Sequence, residues 1–166
     1  MKPTQEPTDL DFVKVAVVID CEGNIAINYA PKGRSHALHV TVGNTNFDLL
    51  DWCLARFGGA IYKIFYKDKR GPEYPPAKRW RIQNREAADL LTKCLPHFII
   101  KRDQAEIAIK FQSTYKVPGE RTSESDRLLR EKLRHELQAL TRRGPKGTAG
   151  ETAKPEEEAE GNLFAE

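Results

Sequence analysis

Two carboxylates and a glycine, Asp20-Cys21-Glu22-Gly23, follow directly on the apolar run Val15-Ala16-Val17-Val18-Ile19. Thr8 or Asp9 is suited to cap a helix that starts near Asp11, and Gly23 is placed to end it. Apolar residues are not confined to one stripe of that helix. Phe12, Val15 and Ile19 lie on one side, and Val13, Ala16 and Val17 on another. A helix that is hydrophobic all round has to be covered all round. Asp20 and Glu22 are therefore expected at the end of a buried helix, where an unpaired charge is costly. A metal ion, a catalytic proton or a cap would offset that cost. No competing chemistry stands out. His36 and His39 are three apart on a strand and point to opposite faces, His97 and His135 have no partner pattern, and there is no Ser-His-Asp or Cys-His arrangement and no phosphate-cradling glycine loop.

The elements that must position this helix end follow from periodicity. After Gly23 the pattern becomes alternating, with Ile25, Ile27 and Tyr29 on one face of a strand. Pro31-Lys32-Gly33-Arg34-Ser35 supplies a turn. The next strand turns Leu38, Val40 and Val42 inward and Ala37, His39 and Thr41 outward. Asn46 to Phe57 has helical spacing and is stopped by Gly58-Gly59. A third strand is expected from about residue 60 to 67, with Tyr62, Ile64 and Tyr66 on one face and Ile61, Lys63, Phe65 and Lys67 on the other. Residues 68–76 form a basic, proline-rich loop. A fourth strand turns Trp80 and Ile82 inward and Arg79, Arg81 and Gln83 outward. Asn84 is placed to cap a helix ending near Pro96. Two more helices are expected, from Arg102 to Tyr115 and from Ser123 or Ser125 to about Arg142. The latter carries Leu129, Leu133, Leu137 and Leu140 along one side, for packing on the body of the protein. The fold class is α+β, in the order helix, two strands, helix, two strands, helix.

Charge is distributed unevenly along the 166 residues, whose net charge is +3. Between Asn24 and Arg102 there are fourteen basic and six acidic residues, as a surface that meets phosphate requires. If the strands form one sheet, its outward set is Asn24, Asn28, Lys32, Arg34, His39, Thr41, Lys63, Lys67, Arg79, Arg81 and Gln83, with Ile61 and Phe65 on the same face. Such donor-rich side chains read base edges in a major groove wide enough for a β-ribbon. The two apolar residues either contact thymine methyls or are covered by a loop. A half-solvated sheet would also alternate, but it would not concentrate cations on one face.

The motif at residues 15–23 resembles the nine-residue motif of the LAGLIDADG homing endonucleases. Val15, Ala16, Val18, Ile19, Asp20, Glu22 and Gly23 fit, Asn24-Ile25 continues it, and Val17 stands where the pattern has glycine. The element order is also that family's αββαββα core. The resemblance implies an antiparallel four-stranded saddle sheet with helices on one face, plus C-terminal helices. With one motif in the chain, it implies a homodimer paired through the motif helix. Each protomer then gives its last acidic residue, Glu22, to a magnesium ion (or another divalent ion such as manganese) at the scissile phosphate of double-stranded DNA. The backbone carbonyl of Cys21 and the carboxylate of Asp20, which supports the turn, complete the metal-ligating candidates. Lys101 matches the family's lysine near the active-site water, flanked by Arg102 and Gln104. Asn44 matches its water-orienting polar residue. The implied activity is site-specific hydrolysis of a long pseudo-palindromic site, leaving short 3′ overhangs. Valine at position 17 implies a wider or rotated helix pair.

The domain expectation is an N-terminal extension (1–7), an endonuclease domain with C-terminal helices (8–143), and a disordered acidic tail (144–166). No stretch is long and apolar enough for a membrane span, and the first residues lack a signal-peptide core. Cys21, Cys53 and Cys94 are odd in number and far apart, which fits a reducing, intracellular compartment. Two rivals share these features. One is a non-catalytic relative acting as an intron RNA maturase or DNA-binding regulator, with RNA as partner only in the maturase case. The other is a basic α+β protein in which Asp20 and Glu22 merely cap a turn.

Overall fold

A computed structural model describes residues 2–30, 35–64, 77–115 and 123–141. Helix α1 (Asp9–Glu22) begins at Thr8, whose side chain accepts from the Asp11 amide while the Asp11 carboxylate accepts from the Thr8 amide. This reciprocal box satisfies two of the donors that a helix start leaves open. Strand β1 (Gly23–Ala30) follows without a linker, then β2 (Ser35–Asn44), α2 (Phe47–Phe57), β3 (Ala60–Lys63), β4 (Lys78–Gln83), α3 (Asn84–Cys94), a 3-10 turn (Leu95–His97), α4 (Arg102–Ser113) and α5 (Glu124–Thr141).

The four strands form one antiparallel sheet in the order β1-β2-β4-β3. Ile25, Ile27, Leu38, Val40, Val42, Trp80 and Ile82 point to one face and share a single core with Phe12, Val15, Ala16 and Ile19 of α1 and with buried residues of all four other helices. The expected αββαββα order, with helices on one sheet face and additional C-terminal helices, is what the chain adopts. Asn46 caps α2 through the Leu49 amide, and Gly58 and Gly59 end it at φ values of 74° and 86°. Only glycine takes that backbone region at no steric cost. The buried Trp80 indole donates to the Gly58 carbonyl at 2.7 Å, tying the α2 terminus to the central sheet.

Gly23 ends α1 as expected, in extended backbone (φ −88°, ψ 164°), and three other expectations are corrected. A glycine is required there because a Cβ would lie 2.7 Å from both the Cα and the carbonyl oxygen of Ile19. Asn84 is the first residue of α3, at φ 53°, and caps nothing with its side chain. On β3 the two faces are exchanged. Ile61 pairs with Trp80 and Tyr62 with Arg79, so Ile61 and Lys63 lie on the helix side and Tyr62 on the open side. On α5 the buried stripe is Arg130, Leu133 and Leu137, while Leu129 and Leu140 are exposed. The Arg130 guanidinium binds the Thr114 hydroxyl and carbonyl at the C-terminus of α4 and stacks on Tyr115, which turns α5 back onto the body.

Candidate active site and nucleic-acid interface

Helix α1 is not covered all round. Phe12, Val15, Ala16 and Ile19 are buried, but Leu10, Val13 and Val17 are 59%, 37% and 47% exposed. Spaced at three and four residues, these form one stripe on the outer side of the helix. Val17, the residue that departs from the motif, lies within it.

The two carboxylates at the helix end have opposite surroundings. Asp20 is buried and spent: Oδ2 accepts from the amides of Ile99 (2.8 Å) and Ile100 (3.3 Å), and Oδ1 from that of Lys101 (2.9 Å). It holds the junction between the 3-10 turn and α4 against α1, the turn-supporting role expected of it, with its oxygens engaged by backbone amides. Glu22 is exposed and makes no hydrogen bond or ion pair with the described residues. It lines a concavity of about 400 Å³ with Gly43, Asn44, Thr45, Ile64 and Ala77. Asn44 accepts from the Asn46 amide through Oδ1 (2.8 Å), which leaves its Nδ2 as a donor. The Lys101 ammonium donates to the carbonyls of Ile19 (2.8 Å) and Asp20. A cation there suits the carbonyl end of α1, and a third N–H remains for a ligand. Glu22, Asn44 and Lys101 are thus gathered around the end of α1. Cys21 is exposed beside them. Gln104, one turn into α4, carries a buried amide oxygen without a partner. Thr45, Ile64 and Ala77 were missed, and no sequence pattern would have joined them to Glu22.

The open face of the sheet carries Asn24, Ala26 and Asn28 on β1, then Ala37, His39, Thr41 and Gly43 on β2, Ala60 and Tyr62 on β3, and Arg79, Arg81 and Gln83 on β4. None of these positions holds a carboxylate. Lys63, expected here, lies on the other side. Lys32, Arg34, Phe65 and Lys67 lie outside the described residues. Tyr62, assigned inward from the sequence, instead lies under the Arg81 guanidinium, 4.3 Å from ring centre to cation. Partial burial, and secondarily the charge of Arg81, hold the His39 imidazole below the usual histidine range, favouring its neutral form. The two histidines do face opposite ways. His36 is buried on the helix side, with Nε2 2.7 Å from the Glu131 carboxylate of α5, a link between residues 95 apart.

Among the described residues no group of three or more His, Cys, Asp or Glu is placed to hold a metal, and no helix is long and apolar enough to cross a membrane.

This architecture is similar to solved homing endonucleases. One crystal structure is of I-CvuI in complex with its target in the presence of calcium (TM-score 0.60, 20% identity, 83% of this chain and 85% of that one). Another is of I-CvuI with the I-CreI target in magnesium, the DNA not cleaved (0.62, 21%, 84% and 86%). A third is the archaeal intron-encoded I-Vdi141I complexed with DNA (0.64, 17%, 84% and 89%). No protein-family model matches the sequence, and no curated protein sequence does. The chain has the homing-endonuclease fold.

Proposed function

We propose that the chain is a site-specific DNA endonuclease that works as a homodimer and depends on a divalent metal. One observation carries this reading. The Glu22 carboxylate, without a partner among the described residues, stands beside Asn44 at the end of a helix whose Leu10-Val13-Val17 stripe is uncovered. Pairing that stripe with its copy about a two-fold axis along α1 covers it and brings the two Glu22 residues together. An isologous contact of this kind extends the two open sheet faces into one surface, suited to a near-palindromic duplex.

Among the described residues a single chain offers one free carboxylate here, and the copy would supply the second. That donor set fits a hard dication, which takes few protein oxygens and completes its shell with water and phosphate. Glu22 and the Cys21 carbonyl are the residues that would hold it. Magnesium or manganese bound there would polarise the phosphate and ease ionisation of a water. Asn44 Nδ2 is placed to orient a water or a phosphate oxygen. Lys101 supplies positive charge beside the scissile group, and Asp20 fixes the Lys101 backbone. Arg79, Arg81 and Gln83 on the open face would read base edges or hold phosphate. The DNA complexes of the similar structures support DNA as the partner. Three free thiols fit a reducing compartment.

The test is a cleavage selection from a library of near-palindromic duplexes in magnesium, with wild type and Glu22→Gln in parallel. Cutting by wild type alone, with a two-fold consensus and short 3′ overhangs in the sequenced ends, is expected. Binding by both proteins with cutting by neither would overturn the nuclease assignment. Failure to bind would overturn DNA recognition itself.

A further inference from the structure

Asn28 and His39 lie on the open sheet face but are not directly paired. In the β1–β2 register Asn28 stands opposite Ala37, and His39 opposite Ala26. Each long polar side chain therefore faces an alanine, whose small volume lets the two lean toward each other across the diagonal. They meet: Asn28 Nδ2 lies 2.7 Å from His39 Nδ1. An amide nitrogen can only donate, so the ring nitrogen it touches must accept. The other ring nitrogen, Nε2, then carries the proton.

We infer that Asn28 and His39 act as one base-reading unit in which the carboxamide fixes the imidazole as the Nε2–H tautomer and the pair reads one base step together. This rests on the DNA-binding reading above and deepens it. With one Nδ2 hydrogen given to His39, Asn28 keeps its Oδ1 and its second Nδ2 hydrogen. These are the acceptor and donor that match N6–H and N7 of adenine in the major groove. His39 Nε2–H supplies a donor for N7 of a purine or O4 of thymine on the adjoining base. Two side chains in hydrogen-bond contact are close enough to span neighbouring bases of a stack. The unit is pre-organised before DNA arrives, so little rotamer freedom is lost on binding. Among the described residues, the charged or titratable groups facing His39 on this surface are Arg81 of β4 and, beyond it, Tyr62 of β3. Neither competes for Nδ1, which Asn28 already occupies.

The experiment is a binding selection on randomised half-sites with wild type, Asn28→Ala, His39→Ala and the double variant, combined with long-range nitrogen–proton NMR of the His39 ring. Both single variants are expected to lose the same adenine-containing step, by on the order of 10- to 100-fold in discrimination. The double variant should lose no more than either single, as a coupled pair requires. In the spectra the wild-type ring should be the Nε2–H form with its Nδ1 resonance shifted by the accepted hydrogen bond, and Asn28→Ala should abolish that shift. Losses at two separate positions, additive losses in the double variant, or an Nδ1 resonance unchanged in Asn28→Ala would overturn the unit while leaving DNA recognition intact. A wild-type protein that selects no consensus would overturn DNA recognition and the unit with it.

Discussion

Replacing Asp20 with asparagine separates a cap from a metal ligand. Three backbone amides converge on this buried carboxylate, two on Oδ2 and one on Oδ1. An asparagine keeps one oxygen. With that oxygen at the Oδ2 position, the bonds from Ile99 and Ile100 survive but lose their charge assistance, about 1 kcal/mol each. The new NH2 then opposes the Lys101 amide, which is left without an acceptor at a further cost of about 1–3 kcal/mol. The total is about 3–5 kcal/mol, and for a chain of this size that lowers Tm by roughly 6–20 °C. The assay is thermal unfolding in a chelating buffer, with hydrogen exchange read at residues 99–101. A metal ligand, by contrast, contributes nothing in chelator, so its replacement would leave Tm unchanged there. An unchanged Tm with unchanged protection of the three amides would refute the cap.

Three other perturbations follow from particular contacts. Val17→Glu places a charge in the exposed α1 stripe; sedimentation should show a dimer for wild type and a monomer for the variant. A dimer in both would remove the stripe from the interface. Gly23→Ala forces a Cβ to within 2.7 Å of Ile19 backbone atoms and is expected to cost at least about 2 kcal/mol by denaturant titration, in the range of steric overpacking. Glu131 is held down from 4.5 to about 2, first by its hydrogen bond from Arg134 and also by that from His36, against the opposing effect of desolvation. Because the folded value is the lower one, its contribution is complete above pH 4.5 and is lost as the pH falls toward 2. Glu131→Gln should therefore be less stable at pH 6 and lose less stability on acidification over that window than wild type. Parallel acid limbs would argue against the pairing.

Where one local feature decides the structure, it could be read from the chain. Thr8, Asn46 and the Gly58-Gly59 pair bound helices through side-chain caps and glycine backbone, and both effects act within a few residues. The inward faces of β1, β2 and β4 were equally plain, because each carries its large apolar residues on one face only. β3 was ambiguous for the same reason in reverse. Ile61 is apolar on one face, Tyr62 and Ile64 on the other, and only the register that sets Ile61 against Trp80 decides between them. The site divides likewise. Glu22 was legible from its motif, and the order of elements that presents it from periodicity. The His36–Glu131 link and the bond between Asn28 and His39 were not, since both depend on pairing between separate elements.

Helix geometry separates what the sequence placed side by side at the end of α1. Residues two apart on a helix point about 200° away from each other. Asp20 and Glu22 therefore cannot serve the same ligand from regular helical backbone, however close they stand in the chain. Ile19, next to Asp20, is fully buried, and Asp20 turns inward with it to find the three amides. Glu22 is turned the opposite way, toward Asn44 and the open end of the sheet. The inward carboxylate makes the outward one usable. By holding residues 99–101 against α1, Asp20 brings the Lys101 ammonium onto the Ile19 and Asp20 carbonyls, which closes the helix end from beneath and leaves Glu22 as its exposed acidic group. A cap loss at Asp20 would thus displace Lys101 as well, so on the proposed endonuclease reading cleavage would fall in Asp20→Asn although the Asp20 carboxylate is engaged by backbone amides.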